Sequence, residues 1–74
     1  MIQNFFKMSD TIKLDQFLKF QDLAQTGGEA KIMIWDGLVL VNDEVETRRG
    51  RKLVHGDRVT VEGITYLVEF AQIW

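Results

Sequence analysis

The hydrophobic period of this chain changes once along its length, near Gly37. Before Gly37 the apolar residues recur at the 3.6-residue spacing of a helix, and after it they alternate as they do in strands. Because helices come first and strands follow, the sequence predicts an α+β fold with the element order (β)ααββββ. At 74 residues the chain has room for a single domain, residues 1–74, whose core we expect at about residues 12–70.

Two helices are predicted before the period changes. Within residues 14–24 the apolar side chains fall in one arc of about 160° on a helical wheel. This pattern predicts an amphipathic helix with a buried face made of Leu14, Phe17, Leu18, Phe20 and Ala24. Thr26 and Glu29 then form a capping-box pattern, so a second helix should begin there, continue to about Asp36 and be capped by Gly37. So short a connection requires the two helices to form a hairpin or to cross at a steep angle.

Four strands are predicted after the helices, in two hairpins with two-residue turns. The hairpins comprise residues 38–41 and 44–46 around Asn42-Asp43, and residues 59–61 and 64–70 around Glu62-Gly63. Asn42 tolerates the positive φ that such a turn requires, although Asp43 replaces the more favourable glycine. Residues 5–8 are candidates for an additional edge strand, and residues 55–57 should form a turn.

Positive charge is concentrated in one short segment of an acidic chain. The chain has a net charge of −2, yet residues 47–58 sum to +4 and the remainder to −6. Within that segment, four cations lie in five residues, namely Arg48, Arg49, Arg51 and Lys52. Arginine presents a flat fork of donors that pairs with phosphate oxygens, so the segment predicts a site for a polyanion. Gly50 permits a bend that would direct all four side chains to one surface. The alternative is a solvated loop whose charges only keep the protein soluble.

Catalysis and cofactor binding have little support in the sequence. The chain has no cysteine, which excludes disulfides, thiolate metal sites and cysteine nucleophiles, and fits a reducing compartment, by default the cytoplasm. Its single histidine, His55, stands beside a Gly-Asp turn, where a structural role is far more common than general-base catalysis. No Asp/Glu/His set has metal-ligand spacing, and there is no phosphate loop with its lysine. No apolar run reaches the roughly 20 residues that span a bilayer, and we expect no signal peptide. We therefore expect a non-enzyme with no cofactor, no membrane and no small-molecule substrate.

Four short motifs, in order over about 50 residues, resemble the S4 RNA-binding domain family. These motifs are residues 13–18 (KLDQFL), 26–31 (TGGEAK), 36–42 (DGLVLVN) and 56–59 (GDRV). The resemblance implies a two-helix hairpin packed against a small bent antiparallel sheet. With residues 47–53 (TRRGRKL), the chain is more similar still to the short, free-standing bacterial members of the family. That likeness implies binding to structured RNA, with ribosomal RNA and ribosome maturation as the setting, by a cytoplasmic protein that we expect to be a monomer.

Eight residues form the predicted RNA-binding site. Gly27 and Gly28 leave backbone N–H groups bare at a helix N-terminus, which favours an anion, although they could merely allow a tight turn. Lys31 lies one turn further along and Lys13 could flank the same spot, although either could be an ordinary solvated lysine. Many family members have a basic residue where this chain has Gly27, so the basic segment gains importance. The full set is Lys13, Gly27, Gly28, Lys31, Arg48, Arg49, Arg51 and Lys52.

Structured RNA suits this chain better than single strands, because single-strand binders expose aromatics for stacking and Phe17 and Phe20 are expected in the core. Trp35 is either a stacking platform or covered by the N-terminal segment.

Two alternatives to RNA binding remain. One is a protein-interaction adaptor whose basic segment binds an acidic protein. The other, a ubiquitin-like sulfur carrier, needs a C-terminal Gly-Gly, whereas this chain ends in Gln72-Ile73-Trp74.

Overall fold

Two helices and six short strands make up residues 11–70, the part of the chain that a computed structural model describes. In chain order they are β1 (Ile12–Lys13), α1 (Leu14–Phe20), α2 (Gly27–Trp35), β2 (Val39–Val41), β3 (Glu44–Val45), β4 (Lys52–Leu53), β5 (Arg58–Val61) and β6 (Ile64–Leu67). The predicted α+β class and the order of helices before the main sheet are confirmed. The candidate edge strand at residues 5–8 lies outside the described residues.

Helix α1 ends at Phe20, four residues before the end of the predicted apolar arc at Ala24. It ends because Asp22 adopts a left-handed conformation with a φ of 61°. The Leu23 N–H then donates to the Leu18 carbonyl at 2.9 Å, and the Asp22 N–H donates to the Lys19 carbonyl at 3.0 Å. These two bonds form a Schellman motif with aspartate in the position that glycine usually holds.

Phe20 is not part of the core, which corrects the prediction from the apolar arc. Its exposed fraction is 47%, whereas Leu14, Phe17, Leu18 and Ala24 are buried. Phe20 lies at the edge of the arc, about 60° beyond Phe17 on a helical wheel. It is also the last residue of α1, where the chain turns away, so its side chain is not carried over the core.

Helix α2 begins and ends as the sequence predicts. The Thr26 hydroxyl accepts a hydrogen bond from the Glu29 N–H at 3.1 Å, while the Glu29 carboxylate accepts from the N–H of Gln25, one residue earlier than in the usual capping box. At the other end Gly37 has a φ of 78°, and the Leu38 N–H donates to the Met33 carbonyl. The left-handed glycine therefore ends the helix and starts the chain toward the sheet.

The main sheet is antiparallel, with the strand order β3-β2-β5-β6. Val39 lies opposite Val61 and Val41 opposite Val59, so all four of these buried valines face the core. Both two-residue turns have positive φ at each central residue, 52° and 73° at Asn42-Asp43, and 52° and 79° at Glu62-Gly63. These are the conformations of type I′ turns, which match the twist of the flanking strands.

The predicted strands are longer than the observed ones at three ends: Leu38, Glu46 and residues 68–70 lie outside the ladders. The Val68 N–H still donates to the carbonyl of Asp57, the residue before β5, but the Val68 carbonyl accepts from the N–H of Gly56, whose φ is 96°, so a glycine bulge ends the regular ladder there. Val68 and Phe70 are nevertheless buried, so the chain after β6 still contributes to the core.

A second, two-stranded sheet joins β1 to β4 and was not predicted. Ile12 pairs with Leu53 and Lys13 with Lys52. The first pair is buried and the second is exposed, as the two-residue period of a strand requires. The end of the basic segment is therefore a strand, anchored by Leu53 in the core.

The core lies where the helix hairpin packs on the main sheet. Its members are buried apolar side chains from both helices, both sheets and the segment after β6, namely Ile12, Leu14, Phe17, Leu18, Ala24, Ala30, Ile34, Val39, Val41, Leu53, Val59, Val61, Val68 and Phe70. Burial of these side chains from water is the main favourable term in folding. The arrangement leaves the N-terminus of α1 and the residues just before β4 side by side.

Candidate functional site

Residues 47–52, which we call the arginine loop, cap the N-terminus of α1 through their backbone. Lys13, the N-cap residue, provides no side-chain cap. Instead the Leu14 N–H donates to the Arg51 carbonyl at 2.8 Å and the Asp15 N–H donates to the Arg49 carbonyl at 3.1 Å. The first N–H groups of a helix have no partner within the helix, so these carbonyls satisfy donors that would otherwise need water or a side chain.

Asp15 forms an ion pair with Arg49 of this loop. The side chain of Asp15 is buried, with its Oδ1 accepting from the Gln16 N–H at 2.8 Å and its Oδ2 from Nε of Arg49 at 3.2 Å. A carboxylate in the first turn of a helix also interacts favourably with the helix dipole. Asp15 therefore stabilises the start of α1 and holds Arg49 in place.

Glu46 holds the other two arginines. Its Oε2 accepts from Nε of Arg48 at 3.0 Å and its Oε1 from Nη2 of Arg48 at 3.1 Å, which is a bidentate pair. Oε1 also accepts from Nη1 of Arg51 at 2.9 Å, and Oε2 accepts from the backbone N–H of Arg48 at 3.0 Å. Only 7% of Glu46 is exposed, so a buried carboxylate lies beneath two guanidinium groups.

The charge of Glu46 is strongly stabilised in this setting. The hydrogen bonds from Arg48, joined by those from Arg51, lower the pKa of Glu46 to about 2, against the opposing effect of burial. The same contact with Glu46 raises the pKa of Arg48. The carboxylate therefore remains ionised at any pH at which the domain would function.

Lys13 and Lys52 face each other directly across the β1–β4 pair. Directly opposed residues of antiparallel strands have Cβ atoms about 4.5–5.5 Å apart, and like charges there repel. Within residues 11–70 neither lysine forms an ion pair. The arginine loop together with Lys13 carries five cations against the two carboxylates of Glu46 and Asp15, a net charge of +3.

The bend expected at Gly50 exists, but it does not depend on glycine. The Arg51 N–H donates to the Arg48 carbonyl at 3.2 Å, which closes a turn. Gly50 is not among the residues with positive φ, and a Cβ added there would meet nothing within 4 Å. Within this turn Arg48 and Arg51 lie on Glu46, whereas Arg49 lies on Asp15, so carboxylates fix the arginine positions.

The remaining predicted site residues lie on α2. Among residues 11–70 no hydrogen bond engages the N–H groups of Gly27 and Gly28, since the first N–H groups of a helix have no acceptor within it and the Thr26 hydroxyl accepts only from Glu29. Nζ of Lys31 lies 4.8 Å from the centre of the ring of Trp35, four residues further along the same helix. Trp35 is 59% exposed.

The eight predicted residues therefore fall into two groups. One comprises Lys13 and the four cations of the arginine loop, and the other comprises Gly27, Gly28 and Lys31. Within the described residues, no hydrogen bond or ion pair joins the two groups.

Sequence reasoning missed Glu46 and Asp15. Glu46 precedes Arg48 by two residues, and side chains at that spacing share a face of an extended chain, so this contact had a local signal. The contact between Asp15 and Arg49 spans 34 positions and had none. Asp15 had been placed within the first family motif and Glu46 at the end of a predicted strand, with no role at the site for either.

Two of the motifs that carry the family resemblance are joined by hydrogen bonds. Nδ2 of Asn42 donates to Oδ1 of Asp57 at 3.1 Å, and Oδ1 of Asn42 accepts from the Arg58 N–H at 3.0 Å.

His55 is a structural turn residue, because its Nδ1 accepts from the Phe70 N–H at 3.1 Å. In residues 11–70 no group of three or more His, Asp or Glu side chains could hold a metal ion. Neither helix of that region is long and apolar enough to cross a membrane.

Comparison with known proteins identifies the family. A family model described as "S4 domain" matches residues 6–69. The chain is 53% identical over 55 residues to "Probable ribosome maturation protein RlbA" of Bacillus subtilis (strain 168), covering 74% of this chain and 78% of that protein. It is 38% identical over 52 residues to "Putative RNA-binding protein YbcJ" of Escherichia coli (strain K12), covering 70% of this chain and 74% of that protein. The expected family is therefore confirmed, and the chain belongs to the S4 domain family.

Proposed function

We propose that this protein is a non-catalytic RNA-binding module that contacts structured ribosomal RNA through the arginine loop and Lys13, and that it acts in ribosome maturation. It would act as a cytoplasmic monomer without a cofactor. The names of its relatives support this setting, since one is described as a ribosome maturation protein and the other as RNA-binding. The observation that carries the proposal is the surface group of five cations, of which four are exposed and Arg51 is half-buried; carboxylates fix the three arginines.

The fixed arginines keep donors available for phosphate. Arg48 uses Nε and Nη2 on Glu46, which leaves Nη1, and its side chain is 74% exposed. Arg51 leaves Nε and Nη2, and Arg49 leaves both Nη atoms. Because an arginine held in one geometry has already lost much of its rotamer freedom, its pairing with a phosphate oxygen costs less entropy.

The N-terminus of α2 is a second contact in this proposal. A Cβ added at Gly27 would meet nothing within 4 Å, and one at Gly28 would meet only the Thr26 hydroxyl at 3.8 Å. Neither glycine is among the residues with positive φ. The turn therefore does not require glycine at either position, which favours the interpretation that bare N–H groups bind an anion.

The preference for structured RNA does not rest on buried aromatics, since Phe20 and Trp35 are both exposed. It rests on the fixed cations, which suit phosphate contacts along a shaped backbone, and on the ribosomal description of a relative. The ammonium of Lys31 also lies over the Trp35 ring, where a base would have to stack.

Sedimentation of cell extract at low salt tests the proposal. Wild-type protein should travel with ribosomal particles, and nuclease should release it. A Lys13→Gln, Lys52→Gln variant should stay near the top, because it loses two cations that form no ion pair within residues 11–70. The control is Lys19→Gln, Arg58→Gln, which removes two positive charges outside the arginine loop and breaks the exposed Arg58–Asp43 ion pair. It should travel as the wild type does, because an exposed ion pair contributes little to stability.

A salt titration provides the second readout. If about four cations each contact a phosphate, the logarithm of the affinity should fall with the logarithm of salt at a slope of about −3 to −4. The double lysine variant should flatten that slope by nearly two, in proportion to the contacts removed. Wild-type protein that remains in a nuclease-resistant protein complex would instead support an adaptor that meets an acidic partner.

A further inference from the structure

We propose that Glu46 is a positioning residue for RNA binding, whose buried carboxylate fixes Arg48 and Arg51 so that their remaining N–H groups meet phosphate oxygens. The inference rests on the proposed function and adds a residue of the opposite charge to the binding surface. Two effects of opposite sign act at this position. A negative charge repels a polyanion, whereas a fixed geometry reduces the entropy lost on binding.

The geometry favours positioning. Arg48 lies with its Nε–Nη2 edge against both carboxylate oxygens, at 3.0 and 3.1 Å, so the guanidinium plane is set by two bonds. Arg51 reaches the same carboxylate with Nη1 alone. The exposed fraction of the side chain is 8% for Glu46, 74% for Arg48 and 30% for Arg51. The carboxylate therefore lies beneath the two arginine side chains. Arg48 is thus held along one edge and is otherwise largely exposed, whereas Arg51 is held by one nitrogen and is partly exposed.

The opposite role, in which Glu46 competes with phosphate for the arginines, fits the structure less well. An RNA that pulled both guanidinium groups away would leave an ionised carboxylate buried without an ion pair, which is strongly unfavourable. Displacement is also unnecessary, because each arginine retains unused donors while bound to Glu46. A phosphate can thus be added to the pair without breaking it.

Charge-neutral substitution distinguishes the two effects by their sign. Glu46→Gln has nearly the same shape but cannot accept the bidentate fork as a carboxylate does. We expect it to bind deproteinised bacterial ribosomal RNA about tenfold more weakly, in the range for a lost charge-assisted hydrogen bond. The matched control is Glu44→Gln on β3, since Glu44 is exposed and without an ion pair in the described region. Removing that negative charge should leave binding equal or slightly tighter.

A second variant keeps the test valid if Glu46→Gln is less stable. Arg48→Lys retains the charge, but one ammonium cannot hold both carboxylate oxygens and reach a phosphate as well. We expect it to lose most of the affinity that Glu46→Gln loses, because Arg48 supplies two of the three side-chain hydrogen bonds to that carboxylate. The double variant should lose little more than Glu46→Gln alone. All affinities are measured by filter retention at a temperature at which circular dichroism shows each variant fully folded.

The outcomes are distinct. Weaker binding by Glu46→Gln beside unchanged binding by Glu44→Gln supports the inference. Binding by Glu46→Gln that equals or exceeds that of the wild type overturns it, and assigns Glu46 either no role or that of a competitor for the arginines. If the wild type itself does not bind the RNA, the proposed function fails and the inference fails with it.

Discussion

Asp15 and Arg49 are bonded to each other twice, once through the backbone and once through their side chains. The Asp15 N–H donates to the Arg49 carbonyl at 3.1 Å, and Nε of Arg49 donates to the Asp15 carboxylate at 3.2 Å. The start of α1 and the arginine loop are therefore one structural unit, although 34 positions separate the two residues in the chain. Binding and stability should consequently respond together to changes in this unit.

Asp15→Asn tests that unit. The amide cannot act as a charged acceptor for both Arg49 and the Gln16 N–H, and the favourable charge at the helix N-terminus is lost. We expect the free energy of unfolding to fall by about 1–2 kcal/mol in urea denaturation. Asp36→Asn is the control, because the same change at the exposed C-cap of α2 should be neutral or slightly stabilising. Equal effects of the two substitutions would contradict the assignment.

Glu46 should make stability depend on pH in acid. The pKa of Glu46 is lowered from 4.5 to about 2 in the folded domain, chiefly by the hydrogen bonds from Arg48. The stabilisation is therefore fully present above about pH 4.5 and is lost as pH falls toward 2. Because other carboxylates also titrate, the quantity to measure is the difference in unfolding free energy between wild type and Glu46→Gln. We expect that difference to shrink between pH 5 and pH 2.5; a constant difference would show that the carboxylate does not titrate as described.

Lys52→Glu should change stability and RNA binding in opposite directions. Lys13 and Lys52 are directly opposed like charges, so the substitution replaces a repulsive pair with an attractive one. Thermal unfolding should show a gain of a few tenths of a kcal/mol, whereas retention of ribosomal RNA should fall several-fold. A variant that gains stability and keeps its affinity would remove Lys52 from the proposed interface.

Asp22→Gly should stabilise the protein. Asp22 has a φ of 61° at the end of α1, a conformation that glycine adopts without steric cost. We expect a gain of about 0.5–1 kcal/mol in the free energy of unfolding, measured in urea. Lys19→Gly, inside α1, is the control and should destabilise by a similar amount. A loss of stability in Asp22→Gly would mean that the aspartate side chain has a role of its own in this turn.

Local signals in the sequence predicted most of the elements correctly. The change of period at Gly37 predicted helices before the main sheet, and Thr26 with Glu29 predicted the start of α2. Asn42-Asp43 predicted the first hairpin turn. Each of these features depends on residues only a few positions apart, so the physical preference is contained in a short stretch of chain.

The sequence by itself determined the fold class, the second helix, the two hairpins and the concentration of cations in one segment. Only the tertiary structure decided how those cations are arranged, because Asp15 reaches Arg49 and Lys13 meets Lys52 across long separations in the chain. A two-residue strand such as β1 has too few residues to show a period. The pairing of a charge depends on which groups folding brings within hydrogen-bond distance, and that is set by the packing of the core.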